Sequence, residues 1–471
     1  MRPVEWDTKP SWLPRPVRRK EVDLRIVPLG FLALILVGTV LLLLPWARHP
    51  GHPISLLDAF FLSASATCLT GLTPVDISQT LNGFGQAVLL CLIQCGGLGI
   101  FTASISLALL SGSRLSLADE QTIHAVWGRL RDARPLDVFI YACLFVLLFE
   151  LGGTVALFLL LSENLPQPSP WHGLWESFFH SVSAFCNAGI SLHPEGAARW
   201  SHFPGILAVL DILVIAGGLG LMTLINLRFT HFWRRDPRRR GYLTLQTRLT
   251  IITTALLLVA GALVTLAFEG DHTLSEARGW EHVTWPLFHS VMCRSAGFNL
   301  VDVNQMNPPT LLATLPLMVI GGAPGSMAGG IKVVTFALLI LTAWSALRRT
   351  EYIQIFGRRI PRHLSSTATM LALLAGAVLL GGVGLLMITE LGHPAAQTPH
   401  HWFGLVFEAF SAFGTVGFST GVTPLLTPLG KLVIIALLFT GRVGPLVLAV
   451  YLARPKNPLH VRYPAEELAL G

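Results

Sequence analysis

Phe60–Gly71 reads F-F-L-S-A-S-A-T-C-L-T-G, and the chain says it four times. Phe178–Gly189 reads F-F-H-S-V-S-A-F-C-N-A-G, Leu287–Gly297 reads L-F-H-S-V-M-C-R-S-A-G, and Phe407–Gly417 reads F-E-A-F-S-A-F-G-T-V-G. The closing glycines are 118, 108 and 120 residues apart, so one supersecondary unit recurs at a near-fixed period. Each copy sits in a segment too poor in consecutive apolar residues to cross a bilayer: Ile54–Val75, Trp171–Leu192, Val283–Val301 and His401–Thr423.

Apolar runs long enough to cross flank every copy. They are Leu24–Leu44 and Gly83–Leu110, Asp137–Leu161 and Phe203–Phe229, Leu243–Phe268 and Leu311–Leu347, and Leu364–Leu391 and Leu429–Leu452. The second run of each pair carries its own echo: Q-C-G-G-L-G-I-F-T at Gln94–Thr102, A-G-G-L-G-L-M-T at Ala216–Thr223, G-G-A-P-G-S-M-A-G-G-I-K at Gly321–Lys332 and G-R-V-G-P-L at Gly441–Leu446. The expected fold is an all-α polytopic membrane protein. Four helix, re-entrant pore loop, helix units surround one central pore, with eight spanning helices and four pore helices. The segments are 1–23 (cytoplasmic), 24–111, 112–235, 236–348 and 349–455 (repeats 1 to 4), and 456–471 (cytoplasmic tail).

Composition agrees. Of 471 residues, 52% are hydrophobic and 13% charged, about half the charged share of a soluble domain, and mean hydropathy is +0.62. The net charge of +7 reports orientation rather than nucleic-acid binding. Arg15, Arg18, Arg19 and Lys20 precede the first run; Arg234, Arg235 and Arg238–Arg240 lie between repeats 2 and 3; Arg348, Arg349, Arg358, Arg359 and Arg362 lie between repeats 3 and 4. With these segments and both termini cytoplasmic, the loops obey the positive-inside rule. No cleavable signal peptide is expected. The six cysteines show no zinc spacing, and the loop histidines form no tight motif with a carboxylate. A membrane metalloenzyme would need a pair such as H-E-x-x-H, which is absent. A scaffold or receptor would have no reason to repeat four glycine-ended loops.

Non-helical backbone survives at membrane depth only where protein buries it or water lines it. Four re-entrant loops converging on one axis meet both conditions. Their carbonyl oxygens can replace a cation's hydration shell, and the negative ends of the preceding short helices favour a cation further. Glycine at each turn reaches positive φ without strain and leaves the bore open.

These residues resemble the Trk/Ktr/HKT superfamily of potassium transporters. The likeness rests on Ser65–Thr73 (S-A-T-C-L-T-G-L-T), S-A-F-C-N-A-G-I-S-L, C-R-S-A-G-F-N, A-P-G-S-M-A-G-G-I-K and S-A-F-G-T-V-G-F-S-T-G, and it runs from about Leu29 to the end. The apolar runs open directly with the first unit, where the Trk branch carries an additional helix pair. The closing H-V-R-Y-P-A-E-E also resembles the Ktr branch, so a membrane subunit of the KtrB type is the nearest expectation.

The resemblance implies potassium uptake across the bacterial inner membrane, a homodimer with one pore per protomer, and a cytoplasmic ring of nucleotide-binding RCK regulatory subunits. The nucleotide would sit on that partner, not on this chain, and the chain itself would hold no cofactor beyond the transported K+. Sodium stimulation, proton coupling and passive flux stay open. Carried over by motif, the selectivity filter is Cys68, Leu69, Thr70 and Gly71; Asn187, Ala188 and Gly189; Ser295, Ala296 and Gly297; Thr415, Val416 and Gly417. Sodium-selective members carry serine at the first glycine position. Gly71 therefore favours potassium over the alternative, a sodium-selective or non-selective cation uniporter of the same fold.

Two further features suggest a gate. Gly321, Gly322, Gly325, Ser326, Gly329 and Gly330, with a proline among them, interrupt an apolar run that would otherwise be helical; glycine costs a helix about 1 kcal/mol and proline about 3. Lys332 and Arg442 are ionisable groups inside apolar stretches, where such groups face a cavity or a partner. Arg442 is expected to project under the filter as an electrostatic barrier, with Glu150 and Asp211 as candidate partners. Arg294 is expected to support its loop, because a guanidinium on the axis would repel cations.

Overall fold

A computed structural model describes residues 26–110, 135–166, 168–229, 243–275, 277–350, 352–392 and 401–453. The basic N-terminal segment, the Arg234–Arg240 cluster and the tail 456–471 lie outside the described residues. The chain is mostly helical and falls into triplets of a leading helix, a short helix and a trailing helix. Unit 1 is Ile26–Leu43, Leu56–Thr67 and Gly83–Leu110. Unit 2 is Pro135–Asn164, Pro170–Phe185 and a trailing pair, Pro204–Leu219 and Leu221–Phe229. Unit 3 is Leu245–Glu269, Glu281–Met292 and a trailing pair, Pro308–Val319 and Val333–Leu347. Unit 4 is Arg362–Thr389, His401–Gly414 and Pro428–Ala453. A β-hairpin, Ile353–Ile355 with Arg358–Ile360, joins units 3 and 4. Among the described residues, Cys143–Asn164, Leu245–Glu269 and Arg362–Thr389 are long and apolar enough to cross a bilayer.

Two of the short helices start where the sequence offers a cap, whereas that of unit 3 follows Trp280 with no side-chain cap. Ser55 Oγ accepts from Asp58 N, and Ser169 Oγ from His172 N with Pro170 in the first turn, each removing an orphan donor from the helix start. Their flanks are built alike. A Cβ on Gly38, Gly153 or Gly261 of a leading helix would collide with the hydroxyl of Ser63, Ser181 or Ser290 on the short helix. Those hydroxyls donate to Ile35 O, Glu150 O and Leu258 O, each at 2.7 Å. On the other flank a Cβ on Gly96, Gly217 or Gly441 of a trailing helix would fall on the carbonyl of Thr67, Phe185 or Phe413, at the end of the short helix. Small residues thus let three backbones meet, the usual route to tight helix packing in lipid.

The units close into a ring. The trailing helix of each unit packs against the short helix of the next, and that of unit 4 packs against the short helix of unit 1. Lys431 Nζ completes this last joint by bonding Asp58 Oδ1 at 2.7 Å.

The run Phe203–Phe229, read from sequence as one helix, is two. It breaks at Gly220, φ +74°, a position where the backbone of Gly325 and Ser326 would lie 3.2 Å from a Cβ, so only glycine fits there. The break that the sequence placed in unit 3 is present, spanning 320–332.

Candidate ion-conduction site

Three of the short helices end in one motif. Leu69, Asn187 and Thr415 adopt left-handed φ of 57°, 57° and 50°. Their N–H groups reach back to Ala66, Ala184 and Ala412, and the N–H groups of Thr70, Ala188 and Val416 reach Ser65, Ser183 and Ser411. This pair of bonds is a Schellman ending, normally given to glycine. Asparagine tolerates it, but leucine or threonine there costs about 1–2 kcal/mol, so Leu69 and Thr415 hold a conformation that their buried surroundings sustain. The loop of unit 3 differs because it is one residue shorter from phenylalanine to glycine. Ala296 N and Gly297 N both bond Met292 O at 3.1 Å, and Ser295 has no left-handed φ. Asn187 Nδ2 fills in from the neighbouring loop by donating to Ser295 Oγ at 2.8 Å.

Each chain then turns at a glycine of positive φ: Gly71 (+89°), Gly189 (+64°), Gly297 (+64°) and Gly417 (+95°). These four glycines lie edge to edge. A Cβ on Gly71 would approach Gly189 to 3.3 Å, on Gly189 Gly297 to 3.2 Å, on Gly297 Gly417 to 2.9 Å, and on Gly417 Gly71 to 3.1 Å. Each such Cβ would also strike the carbonyl oxygen preceding the next glycine, those of Ala188, Ala296, Val416 and Thr70. The sequence-predicted residues are therefore together: four glycines and their preceding carbonyls in a closed ring. Cys68, Leu69, Ala188, Ala296 and Val416 are buried apolar side chains behind it. Thr70 Oγ1, Thr415 Oγ1 and Asn187 Oδ1 are buried without a partner. The ring opens on one side into a cavity of about 760 Å³ lined by all four glycines, with Asp76, Glu195 and Asp302 on its wall.

The segment 320–332 of unit 3 touches each other unit. Ala323 N and Met327 N bond Gly218 O and Gly217 O at 2.9 and 3.1 Å, and Gly330 N bonds Gly441 O at 3.3 Å. A Cβ on Gly329 would collide with Thr415, next to the ring, and one on Gly97 would approach Met327 Sδ to 3.1 Å. Gly321 would be blocked by the carbonyl of Gly329, Gly322 by Ser326 Oγ at 2.7 Å, and Gly325 and Gly330 have φ of +72° and +63°. This is tightly folded backbone in which side chains have no room.

Arg442 is 3% exposed, and its Nη1 donates to Met327 O. Lys332 Nζ donates to Ala328 O at 2.6 Å. Both cations are tied to the segment's carbonyls, and no ion pair among the described residues involves either. Glu150, a candidate partner for them, accepts from Gln94 Nε2 at 3.0 Å and from the Cys186 thiol at 3.7 Å. Asp211 Oδ1 has no partner. Arg294 bonds Gly321 O at 2.8 Å through Nη2, so it joins its loop to the segment. The sequence reading missed two things here. The shorter third loop was visible in the repeat lengths. The side-chain bridge from Asn187 had no local signal.

A ring of four loops in four sequential units, backed by the segment 320–332, is the arrangement expected of a transport protein. The family model TrkH, described as a cation transport protein, matches residues 21–458, and the chain belongs to that family. A membrane-embedded enzyme is set aside with that membership. The Ktr system potassium uptake protein B of Bacillus subtilis is 33% identical over 450 residues, covering 95% of this chain and 96% of that protein. The Potassium/sodium uptake protein NtpJ of Enterococcus hirae is 31% identical over 458 residues, covering 97% and 98%. The crystal structure of the potassium transporter TrkH from Vibrio parahaemolyticus shares the fold, with a TM-score of 0.71 at 20% identity over 92% of this chain and 86% of that one.

Proposed function

We propose that this chain is a gated potassium uptake pore of the bacterial inner membrane. The observation that carries this reading is the closed ring of Gly71, Gly189, Gly297 and Gly417 with the carbonyls of Thr70, Ala188, Ala296 and Val416 between them. Backbone oxygens in a ring of fixed size can stand in for the hydration shell of a cation, and the potassium named in the relatives' descriptions fits an all-oxygen site. In this reading the four leading helices and the four trailing runs, two of them broken into helix pairs, span the bilayer as eight crossings, the four short helices re-enter it, and repeats 24–111, 112–235, 236–348 and 349–455 each supply a quarter of the filter.

The segment 320–332 is the gate, held shut by Arg442 on Met327 O and Lys332 on Ala328 O. Opening requires that these bonds break and that the bonds to Gly217, Gly218 and Gly441 rearrange. A homodimer with an RCK-type subunit ring on the cytoplasmic face would supply the work, with nucleotide on the ring. The description of NtpJ as a potassium/sodium uptake protein supports sodium as a second ion, either stimulating or carried.

Expression of the chain, alone and with an RCK subunit, in cells lacking their own potassium uptake tests this reading. Growth restored at low external potassium is the expected result, with sodium present and absent as the two arms for coupling. No rescue in any arm of a chain that reaches the membrane would contradict it.

A further inference from the structure

Two residues beyond each ring glycine stands a second set of oxygen-bearing side chains: Thr73, Ser191, Asn299 and Ser419. All four line the same cavity as the glycines. The protein orients two of them, in units 2 and 4, with buried groups from the short helices.

In unit 2 the device is His180. Its Nδ1 lies 2.8 Å from Glu176 O, an acceptor only, so that nitrogen carries the proton. Nε2 then accepts, from Leu192 N at 3.3 Å and from Ser191 Oγ at 3.1 Å. The Ser191 proton is thereby directed away from the cavity and into the protein. Its oxygen accepts once, from His193 N at 3.0 Å. A hydroxyl has two lone pairs, so one remains.

In unit 4 the residue equivalent to His180 is Glu408, fully buried. Glu408 Oε1 accepts from Ser419 Oγ and Oε2 from Thr423 Oγ1 at 3.0 Å. Ser419 Oγ accepts from Gly421 N at 2.9 Å and lies 3.2 Å from Thr423 Oγ1; the single Thr423 hydroxyl proton is committed to Glu408 Oε2, so one Ser419 lone pair again remains. Different residue types thus do the same thing in the two units: each takes the hydroxyl proton and leaves the oxygen as a free acceptor. In unit 3, Asn299 Oδ1 is buried with no partner at all.

We propose that Thr73, Ser191, Asn299 and Ser419 form a second cation-coordination ring at the cavity side of the glycine ring, with His180 and Glu408 as the positioning residues that turn the serine lone pairs toward the ion. The ligands are neutral oxygens, which suit a partly dehydrated monovalent cation; a divalent ion would call for direct carboxylate ligands. Asp76, Glu195 and Asp302, on the wall of the same cavity, raise the local cation concentration. The second ring takes an ion that has lost part of its water before it enters the glycine ring. This proposal rests on reading the glycine ring as an ion filter.

The test is K+ uptake by the full chain in potassium-uptake-deficient cells, with membrane abundance measured alongside. The Ser191→Ala/Ser419→Ala double variant is expected to raise the KM for K+ about tenfold, equivalent to ~1.4 kcal/mol, with Vmax per molecule nearly unchanged. Glu408→Leu frees the Ser419 proton and is expected to raise KM, while Glu408→Gln, which still accepts, raises it less. Should the double variant not reach the membrane, the single Ser→Ala variants are read in the same way. Unchanged KM in the serine variants, or equal KM in the two Glu408 variants, overturns the second ring. Gly71→Ser, run in parallel, separates the two readings. A selectivity change there with no KM change in the serine variants sinks only the second ring. No selectivity change in Gly71→Ser sinks the filter itself.

Discussion

Arg294 Nη2 donates to the carbonyl of Gly321 at 2.8 Å, joining the one short loop to the segment that interrupts its own trailing helix. Arg294 is 7% exposed, and its buried Nε has no partner. A charged donor to a buried carbonyl contributes about 1.5–3 kcal/mol. Arg294→Met should destabilise the detergent-solubilised protein by that order, read as a lower thermal midpoint, and disturb the 320–332 segment. A midpoint equal to the parent's would show that the bond is not formed.

The glycines under the short helices are required by contact rather than by conformation. In Gly217→Ala or Gly441→Ala the methyl would meet the carbonyl of Phe185 or Phe413. Overpacking of this kind costs about 1–3 kcal/mol. Both variants should be less thermostable by that amount, whereas Gly376→Ala, with open space around it, should match the parent or exceed it.

The ring of units closes through Lys431 and Asp58, 373 residues apart in sequence. Both side chains are largely shielded, at 12% and 18% exposure, and Asp58 is also held by Ser55 Oγ at 2.7 Å. A double-mutant cycle on Lys431→Met and Asp58→Asn should give a coupling energy of about 1 kcal/mol, the upper end for exposed pairs. A coupling near zero would mean that helix packing alone closes the ring.

Loss of the Arg442 bond to Met327 O should loosen the gate. Arg442→Ala is expected to conduct at a higher basal rate without its regulatory partner, measured as Rb+ flux into proteoliposomes. A rate no higher than the parent's would move the gate elsewhere.

Much of this arrangement is legible in the sequence, because repetition supplies what a single loop cannot. Four copies of one phrase place Gly71, Gly189, Gly297 and Gly417 at equivalent positions, and the run Gly321–Gly330 cannot be helix whatever surrounds it. The break at Gly220 is hidden because Leu219 and Leu221 continue the apolar pattern, and the contact that marks it, with Gly325 and Ser326, comes from another unit. The left-handed Leu69 and Thr415 are hidden for a related reason, since propensity assigns that conformation to glycine and buried surroundings override it. The partner of Arg442 was unreadable because it is a backbone carbonyl, which no residue type announces.

Most direct for the glycine ring is the relative flux of K+ and Na+ through purified protein in liposomes, parent against Gly71→Ser. At φ +89° a serine side chain would press on the carbonyl of Ala188 and change the size of the oxygen ring. The parent should favour K+, and the K+/Na+ flux ratio should fall about tenfold in the variant, a change of ~1.4 kcal/mol. An identical ratio in the two proteins would contradict the assignment of the ring as the filter.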